Sequence, residues 1–383
     1  MSSGGIAQLV ALGAQDEFIS GKPEITFFQS SYKRHINFSR VTDQTVIQGN
    51  PAPGGMSTVK FDRKGDLLNY VYITMIDTVK GEVKTVQDWR SIIDHVDLYI
   101  GGQLIDSQSS EFCELLAIDL MAQNLTMSSA GGHHEGAGRL TEFYPLRFFF
   151  NGSVTSALPL VALQYHEVEV RIYWDTNWYT PITNQGTTIT PVPDGARFEV
   201  HANYIFLDDT ERIKLRRKPI DMLITQVQSV AASNTTVQEL TFNHPVKYIT
   251  SSSVLYNDPL TVDPITGNYT AATTKNGLCD KNTRVKLQIN GEDIGDFKYA
   301  VPHFTSVMSY YHCPFDNGNY QTHFMYPFCI DTSRLQPTGT LNFSRLDSAR
   351  LLTDNKPIAG TVYAVNYNIL RIESGMAGLM YSN

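Results

Sequence analysis

Val168, Val170, Ile172 and Trp174 alternate along the chain with Glu167, Glu169, Arg171 and Tyr173. Successive side chains of a strand point to opposite faces, so this spacing predicts a strand with one apolar and one largely polar face. That is how an antiparallel strand of a sandwich reads. Leu67-Leu-Asn-Tyr-Val-Tyr-Ile-Thr-Met75 has the same character, rich in β-branched and aromatic residues. Near the end, Val362, Ala364, Asn366, Asn368 and Leu370 share one side of a predicted strand, and Tyr363, Val365, Tyr367, Ile369 and Arg371 the other. The second side is the more apolar and is expected to face a sandwich core. Beyond it, Gly375 and Gly378 are expected to turn the chain tightly, so that Leu379, Met380 and Tyr381 pack back on the second half of the protein or on a neighbour. Helical spacing is rare. Phe112, Leu115, Leu116 and Ile118 fit it within Ser110-Glu-Phe-Cys-Glu-Leu-Leu-Ala-Ile-Asp-Leu-Met-Ala122, and a weaker helix is predicted at about Asp209 to Arg217.

The pattern repeats faintly. Val96-Asp-Leu-Tyr-Ile-Gly-Gly-Gln-Leu-Ile105 can be laid on Val285-Lys-Leu-Gln-Ile-Asn-Gly-Glu-Asp-Ile294, and both read strand, two-residue turn, strand. Later, Asn203-Tyr-Ile-Phe-Leu207 resembles Asn366-Tyr-Asn-Ile-Leu370. The two offsets differ, as unequal loops on a common plan require, and their shared order favours a duplicated sandwich. The charged segment near Asp208 to Asp221, with Pro219, separates the halves. Long polar stretches interrupt the strands at 126–139, 177–195 and 257–282, lengths at which loops are usually functional or mobile.

Several stretches together resemble one family. They are Gln8-Leu-Val-Ala-Leu-Gly-Ala-Gln-Asp16, Gly21-Lys-Pro-Glu-Ile-Thr-Phe-Phe28, Tyr32-Lys-Arg-His-Ile-Asn-Phe38, Ile100-Gly-Gly-Gln-Leu-Ile-Asp106, Leu158-Pro-Leu-Val-Ala-Leu-Gln-Tyr-His-Glu-Val168, Gln336-Pro-Thr-Gly-Thr-Leu-Asn-Phe-Ser-Arg345 and the Gly-rich end of the chain. In order and over nearly the whole length, they resemble the double jelly-roll major capsid proteins of nucleocytoplasmic large DNA viruses, of the phycodnavirus and iridovirus kind. The loops are short for that family. Periodicity, repeat and resemblance then agree on an all-β fold of two consecutive eight-stranded jelly-roll sandwiches with few short helices. The expected division is an N-terminal arm at 1–21, a first roll at 22–208, a linker at 209–221 and a second roll at 222–383.

Composition narrows the function. A hydrophobic fraction of 42% with 11% aromatics indicates sizeable cores, and only 18% of residues are charged. That is below the usual ~25%, as suits a surface hidden against copies of itself. A net charge of −8 argues against nucleic acid as a specific partner. One basic run, Arg212, Lys214, Arg216, Arg217 and Lys218, reads either as a patch for an acidic partner or the genome side of a shell, or as a solvated linker. The four cysteines, Cys113, Cys279, Cys313 and Cys329, form no CxxC pair and suggest no disulfide framework. Neither a secretory signal nor a transmembrane segment is expected. The sequons at Asn37, Asn124, Asn151, Asn234, Asn268 and Asn342 then read as chance matches, with Asn37 and Asn342 expected to be buried.

No catalytic, cofactor-binding or metal-binding residue is expected, and no cofactor. His133-His-Glu135 lacks the spacing that puts two imidazoles on one helix face. His303, His312, Cys313, His323 and Cys329 lack zinc-knuckle spacing and read as packed or hydrogen-bonded side chains. His166 and Glu167 are adjacent, so a strand would send them to opposite faces. Asp293 and Asp296 could be imagined as a glycosidase pair, without any sign of a sugar cleft. The reading is a structural, non-enzymatic capsid protein. The resemblance implies a homotrimer forming a pseudo-hexagonal capsomer of an icosahedral shell around double-stranded DNA. It also implies contacts with neighbouring capsomers and with minor capsid or inner-membrane-associated proteins, and synthesis and assembly in the host cytoplasm. Two alternatives stay open: a minor capsid component of the same fold, and a β-sandwich carbohydrate-binding protein or enzyme. The latter draws on Trp174, Trp178 and Tyr179.

Overall fold

A computed structural model describes the chain except for residues 1–2, 87, 124–125, 128–140, 180–181, 185–186, 194, 253–260, 263–268, 271–275, 315–322 and 383. Contacts divide it into two units, Met1–Asn37 and Phe38–Asn383. The first holds helices α1 (Ser3–Val10) and α2 (Glu17–Ser20), neither with a buried residue.

The second unit contains two sandwiches with the same strand order. In the first, β1 (Phe38–Thr45), β2 (Met56–Phe61), β3 (Leu67–Asp77), β4 (Ile93–Ile100), β5 (Gln103–Ser109), β6 (Tyr144–Pro145), β7 (Val168–Trp174) and β8 (Ala196–Leu207) form sheets ordered β1-β8-β3-β6 and β2-β7-β4-β5. In the next, β9 (Ile220–Val230), β10 (Val237–Glu239), β11 (Pro245–Ser252), β12 (Arg284–Ile289), β13 (Glu292–Tyr299), β14 (His323–Pro327), β15 (Ala349–Thr353) and β16 (Val362–Glu373) form β9-β16-β11-β14 and β10-β15-β12-β13. Every strand of the second roll occupies the place of the strand eight earlier, and each set makes two antiparallel sheets of four principal strands, the jelly-roll plan, to which the two-residue strands Ile47–Gln48, Glu82–Val83 and Leu341–Asn342 add. A last strand, β17 (Met376–Leu379), pairs with the end of β16.

The repeated motifs fall on equivalent elements. Val96–Ile105 spans β4 and β5, and Val285–Ile294 spans β12 and β13. Each hairpin turns on two residues of positive φ, Gly101 and Gly102 in one and Asn290 and Gly291 in the other. That is the type I′ geometry whose twist matches the flanking strands. The second repeat, Asn203–Leu207 and Asn366–Leu370, lies on β8 and β16. Strand β7 shows the alternation read from it, with Val168, Val170, Ile172 and Trp174 buried and the residues between them half-buried.

The predicted helix after β5 exists but is not one regular helix. Phe112–Leu116 is a π-turn, and Ala117–Leu120 continues as α-helix. Phe112, Cys113, Glu114 and Leu116 are buried. The helix at Asp209–Arg217, α3 here, links the rolls. Much of the long stretches at 126–139, 177–195 and 257–282 lies outside the described residues. The last two carry short hairpins, Ile182–Asn184 with Thr187–Ile189 and Thr261–Val262 with Tyr269–Thr270.

Two apolar clusters result. One is the second roll's own core, including Ile249, Val285, Leu287, Phe324, Leu351, Val362 and Ala364. The other is the first roll's core, and it continues without a break into the second roll at Ile224, Tyr248, Met325, Tyr363, Val365, Leu370 and Ile372. This corrects the expectation for β16. Val362 and Ala364 face the sandwich core, whereas Tyr363 and Val365 face the first roll. Both faces of the strand are covered because the sheet β9-β16-β11-β14 lies between its own partner sheet and the neighbouring roll.

Candidate functional site

The seam between the rolls is where this chain concentrates unusual chemistry. From the first roll it takes β5 and the π-turn; from the second, β9 and β11, with Tyr363 of β16 and Leu379 of β17. A strand edge presents unpaired backbone groups, and the seam satisfies several with side chains. Gln226 donates from Nε2 to the carbonyl of Ile105, and the amide of Val227 donates to Asp106 Oδ1 at 2.9 Å. Tyr363 donates its hydroxyl to Glu111 Oε2 at 2.9 Å, with Ser109 Oγ also 2.9 Å away and placed to donate back. Its ring packs on Phe112, centroids 5.5 Å apart.

Two carboxyls are therefore buried at the seam. Burial pushes Asp106 up to about 7, against the pull of the Val227 amide and the Gln108 side chain. Burial likewise raises Glu111, offset by the Tyr363 hydroxyl and by Arg90. Arg90 is itself buried and paired with Asp88 at 2.6 Å. On the other side Lys247 is 4% exposed, and burial lowers its pKa.

The C-terminal hairpin closes the seam from one end. Ser374 and Gly375, both of positive φ, make its two-residue turn. A Cβ at Gly375 would meet the Tyr165 ring at 2.8 Å, so a side chain there is barred on two counts. Tyr165 donates its amide to Gly375 O at 2.9 Å, Ala377 donates its amide to His166 Nδ1 at 3.1 Å, and Leu379 donates to Gln103 Oε1 at 3.2 Å. The tail thus packs on the first roll, while Met380 and Tyr381 return to β16 through Ile369 O and Asn368 Nδ2. Gly378 does not turn the chain: its φ is not positive, and Gln103 lies where its Cβ would point.

The structure places the other sequence candidates apart. His166 belongs to the tail contact, and Glu167 pairs with Lys60 at 2.8 Å. His312 Nδ1 lies 3.0 Å from Cys329 O, His323 Nε2 lies 3.3 Å from Ser309 Oγ, and Cys313 Sγ lies 3.9 Å from Met325 Sδ. His303 packs edge-on to Phe304. Asp293 pairs with Lys286 at 2.6 Å, and Asp296 lies in the break of strand register between Ile294 and Lys298. His133, His134 and Glu135 lie outside the described residues. Among the described residues, no three His, Cys, Asp or Glu side chains are grouped to hold a metal ion. Trp174 and Trp178 are buried against Phe198 and donate to Ser57 Oγ and Ile92 O, so neither offers a platform to a sugar. In the basic run, Arg212 pairs with Asp66 at 2.9 Å and Lys214 with Glu211, while Arg216, Arg217 and Lys218 are exposed. Asn37 and Asn342 are exposed, contrary to expectation. Asn342 spends its side chain capping Ser344.

Sequence reasoning missed Asp106, Glu111 and Tyr363 as partners. A signal for the seam existed: Asn366 and Asn368 sit mid-strand among apolar residues, where a buried amide needs a partner from outside the strand. Asn366 accepts from Gln228 at 2.8 Å and Asn368 donates to Gln226 at 2.9 Å.

Comparison with known proteins follows the same two-part division. Residues 26–208 match the family described as major capsid protein N-terminus, and residues 211–378 match the large eukaryotic DNA virus major capsid protein family. The chain is 31% identical to the major capsid protein of Pyramimonas orientalis virus, covering 99% of this chain and 100% of that protein. It is 30% identical to the major capsid protein of Paramecium bursaria Chlorella virus 1, with 100% of both covered. A chain in a quasi-atomic model of the PBCV-1 virus capsid superposes with a TM-score of 0.72 at 26% identity, over 94% of this chain and 100% of that one.

Proposed function

Because this chain belongs to the major capsid protein family of large eukaryotic DNA viruses and is a structural protein of the virion capsid, we propose that it assembles as a homotrimer forming a pseudo-hexagonal capsomer. The observation that carries this is the identical strand order of the two rolls, fused by a continuous apolar seam. One chain then supplies two lobes of nearly equal shape. Three chains about a three-fold axis supply six, and closed cyclic symmetry uses up the complementary surfaces within the ring. Such a block tiles a flat facet of an icosahedral shell around double-stranded DNA. Obligate interfaces commonly bury more than about 2,000 Å² in total, consistent with the low charged fraction of 18%.

Capsomers of this kind meet neighbouring capsomers on their flanks and minor capsid or inner-membrane-associated proteins beneath. They need no sequence-specific nucleic acid, cofactor or catalytic centre, and their assembly belongs in the host cytoplasm. The first 21 residues serve as an arm for such contacts, with the rolls at 22–208 and 222–383 joined by 209–221. The carbohydrate-binding alternative is not favoured, since the relatives are capsid proteins and Trp174 and Trp178 are core residues. Light scattering on the purified protein at micromolar concentration tests the assembly. Three times the protomer mass is expected, and a stable monomer in mild buffer would overturn the capsomer reading.

A further inference from the structure

A cavity of about 610 Å³ opens at the seam, within the range of small-molecule sites. Its walls are largely aromatic and aliphatic, with Tyr70 and Tyr72 of β3 and Phe143 and Phe149 on the first roll's side. The second roll contributes Lys247 and Tyr248 of β11 and the loop 332–335.

The charged groups of the lining do not balance. Arg334 is neutralised by Asp331 at 2.9 Å, and Glu142 is an exposed carboxylate. Lys247 is 4% exposed, yet among the described residues its ammonium bonds to carbonyls, Thr332 O at 3.0 Å and Arg334 O at 3.5 Å, and lies 5.2 Å from the Tyr367 ring, with no carboxylate in an ion pair with it. Among the described residues Arg147 forms no ion pair, and its Nε is buried without a hydrogen-bond partner. The hydroxyl of Tyr248, a residue with 0% exposure, is also buried without a partner. Buried charges are normally paired and buried hydroxyls hydrogen-bonded, because each orphan gives up its hydration for nothing. Here an ammonium held by carbonyls alone, a guanidinium with an unpartnered Nε and an unpartnered hydroxyl line one apolar cavity.

We propose that this cavity binds a small anionic amphiphile, with its acidic head at Lys247, Arg147 and Tyr248 and its apolar chain along Tyr70, Tyr72, Phe143 and Phe149. A carboxylate head accepts from all three donors, and the tail replaces water on the aromatic wall. The same chemistry describes a free fatty acid or a single-chain phospholipid.

The test uses purified full-length protein, stripped of lipid, titrated calorimetrically with three probes below their aggregation concentrations. These are oleate, oleoyl lysophosphatidate and the uncharged analogue oleyl alcohol. Oleate is expected to saturate at one per protomer and to bind at least tenfold tighter than oleyl alcohol. Lys247→Met keeps the stem and removes the charge, and should weaken oleate at least tenfold with oleyl alcohol unchanged. Arg147→Met, at a half-buried position, gives the same reading should Lys247→Met fail to fold. Tighter binding of lysophosphatidate than of oleate assigns the head as phosphate, and the reverse order as carboxylate. Absence of saturable binding of either anion, equal affinity for the alcohol, or unchanged oleate affinity in the folded variants would overturn the proposal.

Discussion

Tyr363→Phe isolates one polar tie across the seam. The substitution keeps the ring against Phe112 and removes only the hydroxyl that donates to Glu111 at 2.9 Å. Glu111 is 5% exposed, so water does not replace the lost donor. Hydrogen bonds to charged groups are worth about 1.5–3 kcal/mol, and stranding the partner forfeits most of that. The expected loss is therefore about 2 kcal/mol, a large part of the ~5–15 kcal/mol that holds a domain together. The hydroxyl bonds to the ionised carboxylate and favours it, so its contribution is present where Glu111 is ionised and fades as the pH falls and Glu111 protonates. The assay is a urea melt at fixed protein concentration, with the midpoint falling and the slope unchanged. Pairing the variant with Glu111→Gln should give a coupling energy of about 0.5–3 kcal/mol. A midpoint within about 0.5 kcal/mol of the unmodified protein at pH 8 would show that the tie contributes nothing and that apolar contact alone holds the seam.

Two further perturbations act on the same surface. Asp106→Asn should flatten the pH dependence of stability: a folded pKa raised from 3.8 to about 7 makes stability fall as pH rises through that window, by up to about 4 kcal/mol for this group. Melts at pH 5 and pH 8 should place the variant relatively higher at pH 8, and parallel slopes for both proteins would refute the assignment. Removing residues 375–383 deletes β17 with its bonds to Tyr165, His166 and Gln103, and should lower the melting midpoint. An unchanged midpoint would show that the tail is not part of the seam.

The parts of the fold legible in the sequence were those set by local rules. Alternation at Val168 to Trp174 survives because one face of β7 is in a core and the other is not. The paired hairpins at Gly101-Gly102 and Asn290-Gly291 were legible because type I′ turns restrict their residues. The facing of β16 was not legible. A strand covered on both sides carries apolar residues at both parities, and period two then cannot say which side meets which neighbour. Nor could the π-turn at Phe112–Leu116 be told from a helix, since both bury residues at similar spacing. The cavity cations were hidden for another reason. Arg147 and Lys247 come to line one cavity only through the packing of one roll on the other, and local spacing carries no trace of that.

The seam also explains why acids are buried where apolar residues would cost less. A purely apolar contact between two sheets tolerates sliding, since dispersion and area burial are not directional. Asp106 accepts from the Val227 amide, and Glu111 from the Tyr363 hydroxyl, each at 2.9 Å across the seam. A shift by one strand residue, about 3.3 Å, would break both bonds, leaving Glu111 without its tyrosine donor and Asp106 with only the donors of its own roll, the Ser107 amide and Gln108 Nε2. The price of burying Asp106 therefore fixes the register of one roll on the other. A two-lobed block whose lobes slid or hinged would present three-fold neighbours with a variable surface. The capsomer proposed here requires the lobes to stay nearly equivalent, and directional bonds at the seam are the feature of this chain that supplies that constancy. On this reasoning Asp106→Asn gains stability at high pH and keeps the Val227 contact through its remaining carbonyl, whereas Asp106→Leu removes the acceptor and frees the register. Domain-level hydrogen exchange at β5 and β9 should separate the two, with protection retained in the first and lost in the second.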